Sequence, residues 1–278
     1  MVEPVSILRR LRRPTNALIL LPDALDALGR DGAMGSYTGE VPLSVIVGSV
    51  GRRDDFDADF TLVNKALEDR QRRVAETFAD GRFPPPLDLV RLGELYFVRD
   101  GHHRVSVARS MWWDSLPATV MQVCTVAYAM SCLRAAHLDS KKAERRFLQR
   151  IPLPFDVRRD LWLDNPADWV RLTEAAEAWA YRQKGAAADV DGHDFACAWW
   201  EQEVLPVLHQ LRLHGVGMEL RDVQLYVTAM AVRDSLGSLD WPPDLAERLR
   251  AGTSCCQRDR RGPHDLAVRT DVAGHRPC

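Results

Sequence analysis

The chain has 278 residues, room for one large domain or two smaller ones, and its 46% hydrophobic and 27% charged residues argue against global disorder. A formal net charge of −2 supplies no overall pull toward nucleic acid or an anionic membrane. The longest helix-compatible apolar run, ALILLPDALDAL, is too short to span a bilayer and carries Pro22, Asp23 and Asp26, so no membrane span is expected.

Residues 1–35 begin with RRLRR and continue into an amphipathic piece that stops at Gly29, which reads as a helical N-terminal extension closed by a glycine-rich linker. The arginines ahead of a brief apolar stretch imitate a signal peptide, but no small-residue cleavage site follows, and a cytoplasmic location is expected. The cysteines at 124, 132, 197, 255, 256 and 278 form no C-x-x-C pair, the pattern of reduced thiols without zinc-ligand spacing, and no metal site is expected from them. EVPLSVIVGSVG, residues 40–51, is β-branched and glycine-ended, a buried strand and a tight turn. Apolar residues spaced by three and four, Leu62, Ala66, Leu67, Val74 and Phe78, predict a helix over 57–81.

A triple proline then leads into a hairpin turning at Leu92-Gly93, with its second strand over 94–99, a helix from 102 to 111 and a further strand over 117–127. Residues 36–127 therefore read as a small α/β domain. From 128 to 251 the periodicity is helical, and Trp162, Trp169, Trp179, Trp199, Trp200 and Trp241 at that spacing read as core filler rather than a base-stacking platform. Residues 184–193 read as an inter-helix linker and 252–278 as a disordered tail. The fold class is α+β: a small α/β domain followed by an all-helical C-terminal region.

The stretch FVRDGHHRVSVARSM, residues 97–111, carries the chemistry of interest. Asp100 is placed to cap the next helix and Gly101 to take an unusual backbone angle. His102, His103 and Arg104 then fill the first helical turn, where the macrodipole opposes each full cation by about 0.3–1 kcal/mol. A phosphate at the helix N-terminus offsets that opposition. The alternative is that both histidines are neutral and hydrogen-bonded, with Arg104 paired to a carboxylate such as Asp54 or Asp57. Adjacent histidines on a helix point about 100° apart, which disfavours a shared metal ion.

VGSVGRRDDFDADF offers a second set. Gly48 and Gly51 permit close backbone approach, Ser49 and Arg52 or Arg53 stand near a phosphate reaching the turn, and Asp54, Asp55, Asp57 and Asp59 are of the type that holds Mg²⁺. The P-loop and G-x-G-x-x-G patterns are absent. Cys124 reads as a small core residue.

The order VPLSVIVGSVGR, a helix, LYFVRDGHHRVSVAR and PATVMQV resembles the ParB/sulfiredoxin superfamily, over about residues 40–127, with DGHHR the most specific part. More narrowly it looks like uncharacterised bacterial ParB-like nuclease-domain proteins. The resemblance implies that the turn binds nucleotide phosphates, in agreement with the reading of Asp100, Gly101, His102, His103 and Arg104; with Gly48, Ser49 and Arg52 from the second set these are the candidate phosphate-binding residues. Sulfiredoxins carry their catalytic cysteine where His102 stands, so that repair chemistry is not expected. Partitioning proteins carry a glutamate there and a following helix-turn-helix, which residues 128–150 do not suggest. The free-serine kinases of the superfamily share the DGH-R form and use an acidic base near the first strand, for which Glu40 or Asp54 is the candidate.

Three readings follow. The first is a nucleotide-binding regulatory module, with a nucleoside triphosphate (ATP or CTP) as ligand and the helical half as a partner or homodimer surface. The second is a small-molecule kinase or nuclease-like phosphotransferase that adds an acidic base and Mg²⁺. The third is a DNA-binding partitioning or transcription factor, suggested by the RRLRR, RQRR and RDRR clusters and opposed by the near-neutral charge.

Overall fold

Among the described residues a mixed sheet takes the strand order β1-β3-β5-β4-β6-β2. The strands are Ile19–Leu20 (β1), Arg30–Pro42 (β2), Ile46–Ser49 (β3), Leu87–Leu92 (β4), Leu95–Asp100 (β5) and Ser115–Thr125 (β6). β3 lies parallel to β1 and β5, β4 lies parallel to β6, and β5 and β2 run antiparallel to β4 and β6 respectively. The structure, a computed structural model, describes residues 18–52, 54–81, 85–184 and 192–258. Helices Leu21–Leu28 (α1), Glu68–Ala79 (α2), His102–Ser110 (α3) and Leu138–Arg150 (α4) accompany the sheet.

The chain divides into two compact units, Met1–Arg150 with Asp164–Val170, and Ile151–Leu163 with Arg171–Cys278. The first is the α+β part. Its core is built from Val41 on β2, Leu43 in the turn that follows and Ile46 on β3, Leu87, Leu89 and Val98 on the central hairpin, Leu116, Ala118 and Val120 on β6, and Val105, Val107 and Ala108 on α3. Leu87 and Leu89 on β4 and Leu116, Ala118 and Val120 on β6 alternate inward as the two-residue period of a strand requires, whereas α3 is buried on more than one face. The β4–β5 hairpin pairs Leu92 with Leu95 across a turn in which Gly93 takes a φ of 54°.

The expected helical extension over 1–35 is corrected. Residues 1–17 lie outside the described residues; of the rest, 19–20 pair with β3, α1 buries Leu21, Ala24, Ala27 and Leu28, and 30–35 begin β2 instead of forming a linker. Glycines at 32 and 35 adopt φ of 120° and 101°, and bulges there let the strand keep pairing with β6. The apolar periodicity of α1 was legible, whereas β2 is exposed along nearly all of its length and gives no alternation.

The strand expected over 40–51 is two strands. β2 ends at Pro42, Leu43 turns back with its amide on Asp114 O at 2.9 Å, and β3 starts at Ile46. The helix expected over 57–81 starts only at Glu68. Asp57 Oδ1 accepts from the amides of Asp59 and Thr61 at 3.0 and 2.8 Å, and Asn64 Oδ1 accepts from Ala66 at 3.2 Å, so side chains take the amides that a helix would need.

The regular elements among the described residues of the second unit are helices: Phe155–Arg158 (α5), Pro166–Lys184 (α6, begun in the first unit), Gly192–Trp199 (α7), Leu205–Leu213 (α8), Asp222–Ser235 (α9) and Leu245–Arg258 (α10). A π-helical turn over Trp200–Val204 joins α7 to α8. Trp162, Trp179, Trp199 and Trp200 are buried there, and Tyr226 packs its ring 6.0 Å from Trp199 and 5.6 Å from Trp241. Tryptophan here is core filler, as its spacing suggests. The tail expected from 252 is corrected as well, since α10 continues to Arg258; residues 259–278 lie outside the described residues. No helix among the described residues is long and apolar enough to cross a membrane.

Candidate anion-binding site

β3 and β5 run parallel and end side by side, and the chain leaves each of them into a turn, Val50–Arg52 after one and Gly101 after the other. Gly101 stands at the N-cap of α3 with φ 108°, a left-handed conformation open to glycine, and its carbonyl accepts the first helical amide, that of Val105, at 3.0 Å. A Cβ there would meet Leu87 Cδ2 at 2.4 Å. The amides of the first helical turn have no intrahelical acceptor, and α3 presents them at the carboxyl ends of two parallel strands.

A cavity of about 250 Å³ opens at this point, walled by Asp100–Arg104, by Arg52, by Arg70, Val74, Thr77 and Phe78 of α2, and by Pro85. Of the residues expected to bind phosphate, it gathers Arg52, Asp100, Gly101, His102, His103 and Arg104.

The two histidines are buried, with 4% and 6% of their surface exposed. His102 Nε2 lies 2.8 Å from Ser49 Oγ, and its ring stacks on Phe56 with centroids 5.8 Å apart. Burial, aided by the nearby Arg52 charge, pushes its pKa down to about 4, which makes it a neutral imidazole at neutral pH. His103 Nδ1 lies 2.7 Å from Gln71 Oε1, and burial, Arg70 and Arg52 hold its pKa below the ordinary histidine value. The expected crowding of three cations against the helix dipole is therefore relieved in large part by neutral histidines.

Arg104 is committed to structure. Its guanidinium donates to Asp100 Oδ2 at 2.5 Å, to Pro86 O at 2.8 Å and to Pro85 O, clamping the segment before β4 to the turn. Asp100 thus serves as the partner of Arg104, four residues on, and no side-chain cap closes the N-terminus of α3. The expected capping role of Asp100 and the expected pairing of Arg104 with Asp54 or Asp57 are both corrected: the i, i+4 spacing brings Asp100 closer than either.

Gly48 is packed within the sheet, where a Cβ would meet Ile19 O at 2.2 Å and Phe97 Cδ1 at 2.6 Å, so its lack of a side chain serves the β1–β3–β5 contact rather than a ligand. Ser49 is fully buried and holds the turn after β3: its Oγ accepts from the amides of Gly51 and Arg52 at 3.2 and 2.9 Å. Arg52 reaches the cavity while pairing with Asp55 at 2.9 Å. Asp55 also accepts from Asn64 Nδ2 at 2.9 Å, and that bond holds its carboxyl below the usual range.

The acidic candidates fall outside the cavity wall. Glu40 is exposed on β2 and accepts from Ser115 Oγ at 3.0 Å; β2 lies three strands from β5, roughly 14 Å at ordinary strand spacing. Asp54 is exposed on the turn. Among the described residues no group of three or more His, Cys, Asp or Glu side chains is placed to hold a metal ion.

Gln71 and Arg70 are the residues that sequence reasoning missed. Gln71 binds His103 and Ser106 together, and Arg70 is exposed with no ion pair among the described residues. The signal for Gln71 was its position between Leu67 and Val74 on the apolar face of α2, a polar residue where the pattern asks for a core one.

No protein-family model matches the chain, and no curated protein matches it either. Among solved structures, a Pnob8-like ParB-N domain in a C2221 crystal form is similar over 76% of this chain and 88% of its own, at 13% identity and a TM-score of 0.22. A superposition that loose fixes neither fold nor function, and both rest on the elements and side chains described above.

Proposed function

We propose that the cavity at the start of α3 receives the phosphate of a nucleotide, and that the protein is a nucleotide-responsive, ParB-like regulatory module. The observation that carries this reading is that the first-turn residues of α3, Arg52 and Arg70 line one cavity of about 250 Å³. Unsatisfied amides, the helix dipole and guanidinium groups favour the same anion. The DGHHR turn, which resembles the phosphate-binding turn of the ParB/sulfiredoxin superfamily, supports it. The volume suits a phosphate group and its immediate attachment better than a whole nucleotide, since drug-sized ligands fill about 300–1,000 Å³. The base then lies outside the cavity.

The ligand class is a nucleoside triphosphate such as ATP or CTP, with any Mg²⁺ arriving on its phosphates, because Asp55 and Asp100 are engaged by Arg52 and Arg104. A regulatory role is favoured over phosphoryl transfer because neither Glu40 nor Asp54 lines the cavity.

Thermal denaturation with ATP and CTP, with and without Mg²⁺, tests the reading. A ligand at about 100 times its dissociation constant stabilises the fold by roughly 2.7 kcal/mol, a rise of several degrees. Arg70→Ala is expected to abolish the rise while leaving the unliganded melting temperature unchanged. If no nucleotide shifts the wild type, the reading fails; duplex DNA binding with a steep salt dependence and no nucleotide effect would replace it with the DNA-binding one.

A further inference from the structure

His103 belongs to the same cavity wall as the arginines but is prepared for a different contact. Its Nδ1 faces Gln71 Oε1 at 2.7 Å, and Gln71 Nε2 donates to Ser106 Oγ at 2.7 Å. An amide oxygen only accepts, so Nδ1 carries the hydrogen and the neutral ring keeps a bare lone pair on Nε2. That Nε2 is buried and meets no hydrogen-bonding partner among the described residues, in a side chain 6% exposed that lines the cavity. Buried acceptors are rarely left unpaired, and one that is points to a group absent from the chain itself.

We infer that the ligand offers its own O–H to His103 Nε2, so that the site selects a terminal phosphate or phosphate monoester, which keeps a proton, over a phosphodiester or sulfate, which has none to give. This rests on the phosphate reading of the cavity and narrows it. A phosphate monoester loses its second proton near pH 6, close enough to neutrality for a neighbouring acceptor to retain it. Diesters and sulfates are fully ionised there, and each would place an oxygen lone pair against the lone pair of Nε2. The repeating diester backbone of a nucleic acid is refused on the same ground.

The charges around the ring set the pH range. Arg70 on α2 and Arg52 after β3 face His103 and oppose its protonation, Asp55 favours it, His102 adjoins it on α3, and Asp100 and Arg104 complete the wall. Burial acts with the arginines, so the ring is a neutral acceptor at and above neutral pH. Once protonated in acid it would donate from Nε2 and accept any oxyanion.

Isothermal titration of the full chain with inorganic phosphate and with inorganic sulfate at pH 7.5 is the test, because the two ions match in size and differ in their proton. Phosphate is expected to bind roughly tenfold tighter or more, the value of one hydrogen bond made against one refused. Methyl phosphate is expected to follow phosphate near pH 6, where about half of it still holds a proton, and to fall behind it at pH 7.5; dimethyl phosphate is expected to follow sulfate throughout. The preference is expected to shrink once acid protonates the ring and to vanish in His103→Phe, which keeps a ring of similar size; the pH series on the wild type answers the question even where that variant does not fold. Equal affinities for phosphate and sulfate at pH 7.5, with a proton taken up in both cases, would show that His103 donates, and would overturn this inference while leaving the phosphate site standing. Failure of both anions to bind would overturn the two together.

Discussion

Ser49 Oγ and His102 Nε2 stand 2.8 Å apart across 53 positions of chain. The hydroxyl oxygen already accepts from the amides of Gly51 and Arg52, so its single hydrogen is directed to the imidazole, and His102 is the acceptor. One serine thereby ties the end of β3, the turn that carries Arg52 and the first residue of α3. Ser49→Ala removes that tie and strands the amides and the imidazole together. The expected cost is about 1–3 kcal/mol, seen as a drop of several degrees in the melting temperature by circular dichroism. An unchanged melting temperature would show that the tie contributes nothing to stability.

His102 makes stability depend on pH in a stated direction. Its folded pKa of about 4 lies below the ordinary 6.5, so between those values the unfolded chain binds a proton that the native protein does not. Stability contributed by the neutral ring is complete above about pH 6.5 and is lost as pH falls toward 4, by an amount on the order of a few kcal/mol. His102→Gln cannot titrate and is expected to flatten the fall in melting temperature across that window relative to wild type. Parallel profiles for the two proteins would assign the acid sensitivity to other groups.

Arg104 clamps Pro85 O and Pro86 O against Asp100. Its guanidinium is mostly buried, with 13% of the side chain exposed against 70% for Asp100, so the two carbonyl bonds matter more than the ion pair. Arg104→Ala is expected to lower the melting temperature of the ligand-free protein, at a cost of roughly 1–3 kcal/mol. Arg104→Lys should rescue little, because an ammonium lacks the planar fork that spans three acceptors. Asp100→Ala, by contrast, is expected to cost well under half as much as Arg104→Ala. Hydrogen exchange at 87–89 should rise in Arg104→Ala, and protection unchanged there would contradict the clamp.

Lys141 and Glu144 form an ion pair at 2.6 Å with 2% and 1% of their side chains exposed. Burial pushes the Glu144 carboxyl above its usual range while Lys141 opposes the rise. Lys141→Met alone leaves a buried carboxylate and is expected to cost about 3–5 kcal/mol, whereas Lys141→Met with Glu144→Leu should recover most of the loss. Urea denaturation of the two single variants and the double variant measures the coupling; strict additivity would show that the pair does not interact.

The sequence by itself determined the elements whose burial leaves a periodic trace. The β4–β5 hairpin, α3, β6 and the helical second half follow from alternation, from the 3.6-residue period and from glycine at turns. The DGHHR turn was legible as a helix start, and the alternative of neutral, hydrogen-bonded histidines was open from the same five residues. What chose between cation and neutral acceptor was tertiary: Ser49 arrives from β3 and Gln71 from α2, at separations of 53 and 32 residues, and burial between them removes the proton that the isolated sequence allows. The exposed β2 and the late start of α2 were hidden for a related reason. A strand solvated along nearly its whole length shows no alternation, and Asp57 and Asn64 compete for amides through side-chain geometry that hydrophobic spacing does not record. Glu40 stood near the turn in sequence terms, but the sheet order placed its strand at the far edge, because strand neighbours are chosen by packing rather than by chain order.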